Sequence, residues 1–175
     1  KKLRVLVVGE IVIDEYNFGD IIGKSGKEPH LVLKESFKES YAGGSAAVAR
    51  HISSFVKSAK VISFFGNEKK NIEILKQQSD VKIKYDLFKP YSKFDTIVKK
   101  RFIDLKSNYK LFGSYILPNL HKTLFNNQLL QKIKKNLSKF DLIIVCDYGH
   151  GLLSNETIKH LNKIKKFLSL NIQLN

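Results

Sequence analysis

The sequence predicts an α/β fold: a mostly parallel sheet interleaved with helices, plus a separate small sheet. Three observations predict it. Residues 2–13 and 142–147 are built around Val/Leu/Ile runs of the kind found in strands buried on both faces. Strand-like and helix-like segments alternate along most of the chain, as connected parallel strands require. Strand patterns near residues 16–40 and 95–116 break that alternation and read as a sheet of their own.

Taken in order, residues 2–13 form the first buried strand, with Gly9 marking a bulge or a close backbone approach. Residues 16–29 are turn-rich, and residues 31–36 form a short strand. Gly43-Gly44 opens an alanine-rich helix in which Ala49, Ile52 and Val56 share one face. A strand at 60–65 ends at Gly66, a helix covers 68–78, and 81–87 alternates as a half-buried strand. Strands at 95–104 and 110–116 flank Ser107-Asn108 as a hairpin. An amphipathic helix at 124–137 leads to the strand at 142–147. A helix at 155–167 carries Ser154 as its N-cap, and a last strand runs from Leu168 to Leu174.

Composition narrows the function classes. A chain of 175 residues suffices for one sizeable core. With 43% apolar and 27% charged residues it is not collagen-like, mucin-like or largely disordered. The lone cysteine, Cys146, allows no intrachain disulfide and points to a reducing, cytoplasmic compartment. Inside an apolar strand it reads as a buried structural thiol. The longest apolar run is five residues, whereas a membrane helix needs about 20, so no membrane partner is expected. The chain lacks methionine and stops within a strand pattern, which gives the expectation of a piece of a longer protein.

The net charge of +15 raises nucleic acid as a partner. Of the 31 basic residues, however, only Arg4, Arg50 and Arg101 are arginines, and the lysines are spread along the whole chain. Groove readers lean on arginine forks. Abundant Lys, Asn, Ile and Phe also fit a skewed codon usage. The charge favours anionic small substrates instead.

Several residues carry possible chemistry. Asp14 follows the first buried strand, where ligands of open α/β sheets bind, and a carboxylate there can accept two sugar hydroxyls or simply cap a turn. Gly43-Gly44 precedes a helix, whose free N–H groups can face a ligand. Asp147-Tyr148-Gly149-His150-Gly151 follows the second buried strand in the same kind of position. Lys99 and Arg101 share one face of a strand, while Lys100 points the other way; together they can hold a phosphate or simply protect an edge. Gly19-Asp20-Ile21-Ile22-Gly23-Lys24-Ser25 falls one residue short of a P-loop and opens no helix. No zinc-ligand spacing and no nucleophile elbow is present.

These pieces together resemble the ribokinase-like (PfkB) carbohydrate kinases, and most of all the kinase part of heptose-7-phosphate kinase/ADP-heptose synthase proteins. The carriers are Val5-Leu6-Val7-Val8-Gly9-Glu10-Ile11-Val12-Ile13-Asp14, Tyr41-Ala42-Gly43-Gly44-Ser45-Ala46-Ala47, Thr96-Ile97-Val98-Lys99-Lys100-Arg101 and Asp147-Tyr148-Gly149-His150-Gly151, in the family's order. The resemblance implies a three-layer α/β/α fold with a small β-sheet lid, residues 1–175 being the N-terminal, sugar-binding part. It implies phosphoryl transfer from ATP, with Mg²⁺, to a sugar or sugar phosphate, a homodimer through the lid, and fusion to a nucleotidyltransferase domain. Asp14, Gly43 and Gly44 would hold the sugar, Lys99 and Arg101 a substrate phosphate, and Asp147 and His150 the floor near the transfer site. Three departures stand out: Ala47 replaces an asparagine, His150 replaces a lysine, and Asn171-Ile172-Gln173 replaces an Asp-Pro-Lys-like strand end. The family's Gly-Ala-Gly-Asp motif, which supplies the catalytic base, is absent, so no catalytic residue is assigned and this chain alone is expected to be inactive. The rival readings are a non-catalytic sugar-binding or scaffold domain and a basic nucleic-acid-binding α/β domain.

Overall fold

Two sheets share the chain, which passes directly from one to the other at Glu10. The computed structural model describes residues 2–119 and 122–173. The first sheet holds β1 (Arg4–Gly9), β4 (Ser58–Phe64), β5 (Ile83–Phe88), β8 (Leu142–Asp147) and β9 (Phe167–Ile172) in the order β5-β4-β1-β8-β9. Its pairings are all parallel; Val7 lies between Val61 and Ile144. The second sheet, the lid, holds β2 (Ile11–Lys24), β3 (Leu31–Gly44), β6 (Ile97–Asp104) and β7 (Lys110–Ile116) in the order β3-β2-β6-β7. There β2 pairs parallel with β6 and antiparallel with β3, and β6 pairs antiparallel with β7.

Alternation along β1 creates the layers. Val5 and Val7 point to one face and pack with Ala46 and Ala49 of α1 (Ser45–Ser53) and Ile74 and Leu75 of α2 (Lys69–Gln77). Leu6 and Val8 point to the other and pack with Leu129 and Ile133 of α3 (Lys122–Asn136) and Leu161 of α4 (Asn155–Leu161). All four β1 residues are fully buried, the condition that their uninterrupted apolar run implied. The result is the expected three-layer α/β/α arrangement with a small sheet beside it. Among the described residues no helix is long and apolar enough to cross a membrane.

Three expectations are corrected. Residues 2–13 are not one strand. The chain leaves the parallel sheet after Gly9 and enters the lid at Ile11, with Glu10 as the crossing. The apolar pattern hides this because Ile11, Val12 and Ile13 are also buried, at the junction between the sheets. Residues 16–29 are not mainly turn: β2 continues to Lys24, and β3 extends to Gly44 rather than ending at 36. As a central strand β2 is paired on both sides as far as Gly19, which overrides the weak strand propensity of Asn17 and Gly19, and β3 alone carries Asp20 on. The last helix stops at Leu161, and Phe167 already belongs to β9. Leu174, the expected end of the last strand, lies outside the described residues.

Other expectations match. The β6–β7 hairpin turns through Asn108 at φ 61°. Ser154 caps α4, its hydroxyl accepting from Thr157 N at 3.2 Å. Gly9 is a close approach, since a Cβ there would overlap the Cys146 carbonyl.

Candidate functional site

The strand register brings Asp14 and Arg101 together. Asp14 on β2 lies beside Lys99 of β6, and Tyr16 lies beside Arg101, so Asp14, Tyr16, Lys99 and Arg101 project from the same lid face. Arg101 Nη1 donates to Asp14 Oδ1 at 2.5 Å, each side chain 23% exposed. The guanidinium also lies 5.2 Å from the centre of the Tyr16 ring. Burial pulls the Arg101 pKa down, but the bond and charge of Asp14 outweigh it and the net direction is up. Lys99 sits over Tyr115 at 5.5 Å, on the Arg101 face as expected. Lys100 faces the opposite side, where with Lys70 and Lys38 it lowers the pKa of Glu15 against the upward pull of burial.

Glycines close the second wall. At Gly43 a Cβ would overlap the Asp14 carboxylate, so only glycine lets that carboxylate lie against the backbone there. Gly44 has φ 61°, a conformation L side chains rarely adopt, and presses on the Glu10 carbonyl as it turns the chain into α1. Across β2, Tyr41 meets the Tyr16 ring edge-on at 6.0 Å.

The end of β8 and the loop after it carry Asp147, Tyr148 and His150. Asp147 Oδ1 accepts from Gly149 N at 3.0 Å, and the Asp147 carbonyl accepts from Gln173 N at 2.8 Å. His150 has its pKa lowered by burial and by Lys99, with Asp147 opposing, so its imidazole is neutral at neutral pH. Its Nε2 is shielded from solvent without a hydrogen-bond partner among the described residues. Tyr148 is pushed up to about 12 by burial and by neighbouring acids, Glu10 and Asp14 among them, and stays a phenol. Cys146 is likewise pushed up to about 12 by burial and Glu10, which leaves it a protonated, unreactive thiol.

Asp14 thus touches both Gly43 and Arg101. Lys99 and His150 lie within electrostatic reach of each other, and Gly44 joins through Glu10. Sequence reasoning missed Glu10, Tyr16, Tyr115 and Tyr148. Glu10 did leave a signal: it is the one acid between Val5 and Ile13. Among the described residues no group of three or more His, Cys, Asp or Glu forms a metal cage by itself; a Mg²⁺ carried on nucleotide phosphates needs only one or two carboxylates.

No family model matches the chain. Among curated proteins it is 25% identical over 175 residues to the Bifunctional protein HldE of Pasteurella multocida, covering 100% of this chain and 34% of that protein. Among solved structures it superposes on Escherichia coli phosphofructokinase-2 in complex with fructose-6-phosphate with TM-score 0.67 and 14% identity, covering 97% of this chain and 54% of that one. Ribokinase from Thermotoga maritima gives TM-score 0.63 at 16% identity, with 96% and 52% covered. The chain therefore spans about a third of the curated relatives' length and about half of the solved chains'. Its fold is ribokinase-like, and in sequence it resembles the HldE proteins over most of its length.

Proposed function

We propose that residues 1–175 form the sugar-binding part of an ATP-dependent carbohydrate kinase whose acceptor is a sugar phosphate of the heptose-7-phosphate kind. The Asp14–Arg101 pair, packed against Gly43 near the junction of lid and sheet, carries this reading. Asp14 accepts two sugar hydroxyls, and Gly43 and Gly44 let the ring lie against the backbone. Lys99 and Arg101 take the substrate phosphate, for which the guanidinium fork is suited. Asp147 and the neutral His150 form the floor, where hydrogen bonds rather than charge orient the acceptor hydroxyl. Holding reactants in line is most of what phosphoryl transfer asks of a protein.

ATP and Mg²⁺ neutralise and donate the transferred group in such kinases, and the absent Gly-x-Gly-Asp leaves this chain without a catalytic base of its own. The chain alone is inactive in this reading, and the parent protein is a cytoplasmic kinase fused to a nucleotidyltransferase domain. A homodimer through the lid is part of the proposal. Phe37 and Tyr41, exposed by 51% and 44%, continue the Tyr16–Phe18 aromatic row on the lid face.

Isothermal titration with heptose 7-phosphate and with unphosphorylated heptose tests the reading. The wild-type chain binds the phosphate ester more tightly. Asp14→Asn weakens both ligands about tenfold or more, while Arg101→Ala weakens mainly the ester. Absence of binding by the wild-type chain, joined to salt-steep binding of duplex DNA, would overturn it in favour of a nucleic-acid domain.

A further inference from the structure

We propose that Glu10 is a positioning residue that ties the lid to the loop after β8, so that Asp14 and Gly43 on one side and Asp147 and His150 on the other keep one fixed spacing. The inference rests on the proposed function only for its ligand reading.

Glu10 is the one residue between β1 and β2, and hence between the two sheets. It is fully buried, and each of its polar ends is used. Oε2 accepts from Tyr148 N at 3.0 Å and Oε1 from Leu152 N at 3.2 Å, so the carboxylate brackets the segment that carries His150. Its carbonyl accepts from Ser45 N at 2.8 Å, and the Ser45 hydroxyl donates to the Gly9 carbonyl at 2.9 Å. These two bonds fasten the Gly43-Gly44 turn to the same crossing. One residue therefore joins three backbone segments that supply the candidate site.

The chemistry calls for two acceptor oxygens at full glutamate reach. The Tyr148 and Leu152 amides point at Glu10, and buried amides must find acceptors. Glutamine offers one oxygen and turns an N–H₂ toward the other amide. Aspartate keeps both oxygens but is one methylene shorter. A carboxylate buried at the junction is costly, and burial raises its pKa against the amide bonds that lower it. Its presence there is explained by the loop it holds.

Amide hydrogen exchange and titration calorimetry on the 175-residue chain test this. In Glu10→Gln, exchange at Tyr148 N or Leu152 N rises about tenfold or more, while protection in β1, β4 and β8 is kept. Heptose 7-phosphate binds about tenfold more weakly at a temperature well below the variant's thermal midpoint. Glu10→Asp gives a smaller change in both readings, and it replaces Glu10→Gln if that variant does not fold. A merely structural glutamate lowers the midpoint and leaves the affinity unchanged; that result, or wild-type protection at both amides, overturns the proposal. If the wild-type chain binds no sugar phosphate, the proposed function fails, and the exchange reading alone decides whether Glu10 holds the loop.

Discussion

Asp14 does its work only because its neighbours are what they are. Arg101 holds one oxygen, and the other fits against Gly43 only because that residue has no side chain. Gly43→Ala sets a Cβ against the carboxylate and displaces it, so sugar-phosphate affinity should fall about tenfold or more. The overpacking should also cost about 1–3 kcal/mol of stability in a urea titration. Unchanged affinity would mean that Asp14 rotates freely away and is not the ligand. Asp14, Gly43 and Arg101 were legible because their chemistry shows in the residue type and strand-end position. Tyr16 and Tyr148 were not: an aromatic in a strand such as Tyr16 reads as packing until the register sets it against a guanidinium, and Tyr148, in the loop after β8, is set near Glu10 only by the fold. Glu10 escaped because a single acid within an apolar run looks like an interruption, and only the sheet crossing gives it a role.

Elements show where local pattern loses to tertiary pairing. The strand Leu142–Asp147 and the 97–116 hairpin were legible because both flanks of each carry clear breakers or polar residues. β2 was not, since two partner strands hold Asn17 and Gly19 extended and β3 alone holds Asp20. The last helix was read too long because Ile158, Leu161 and Ile164 keep helical spacing past the point where the chain turns toward β9. With only seven residues, α4 depends on its ends. Ser154 both accepts from Thr157 N and meets the buried Thr157 hydroxyl at 3.1 Å. Ser154→Ala removes the cap and should cost about 1 kcal/mol in equilibrium unfolding, with faster amide exchange confined to residues 155–161. Loss of protection across β8 instead would show that α4 and the sheet unfold as one unit.

Across the whole molecule, acid stability follows from a few carboxylates set among many lysines. Burial raises Glu15, but Lys70, Lys38 and Lys100 overcome it and its pKa falls. Glu68 is raised by burial and lowered further by its bonds to Thr96. Asp86 is raised by burial and lowered further by Lys132 and Lys60, which pin the edge strand β5 to α3 and β4. A carboxylate depressed in the folded state contributes stability that is present above its unfolded pKa and lost as pH falls through the folded one. Glu10 has the opposite sign: its raised pKa gives stability that is present below the unfolded value and lost as pH rises through the folded value. Asp80 and Asp104 are lowered as well, by hydrogen bonds from Lys82 N and from Ser107. Among the described residues five depressed carboxylates therefore stand against one raised one, and with a net charge of +15 that grows as carboxylates protonate they make the acid limb fall. The thermal midpoint should therefore drop between about pH 5 and pH 3. Glu15→Gln should flatten that limb, because the variant no longer has the proton to take up, and added salt should recover part of the loss by screening the lysines. A midpoint that holds steady or rises over that interval would mean that Glu10 outweighs the ion-paired and hydrogen-bonded acids together, and that burial at the sheet crossing governs the acid response of the fold.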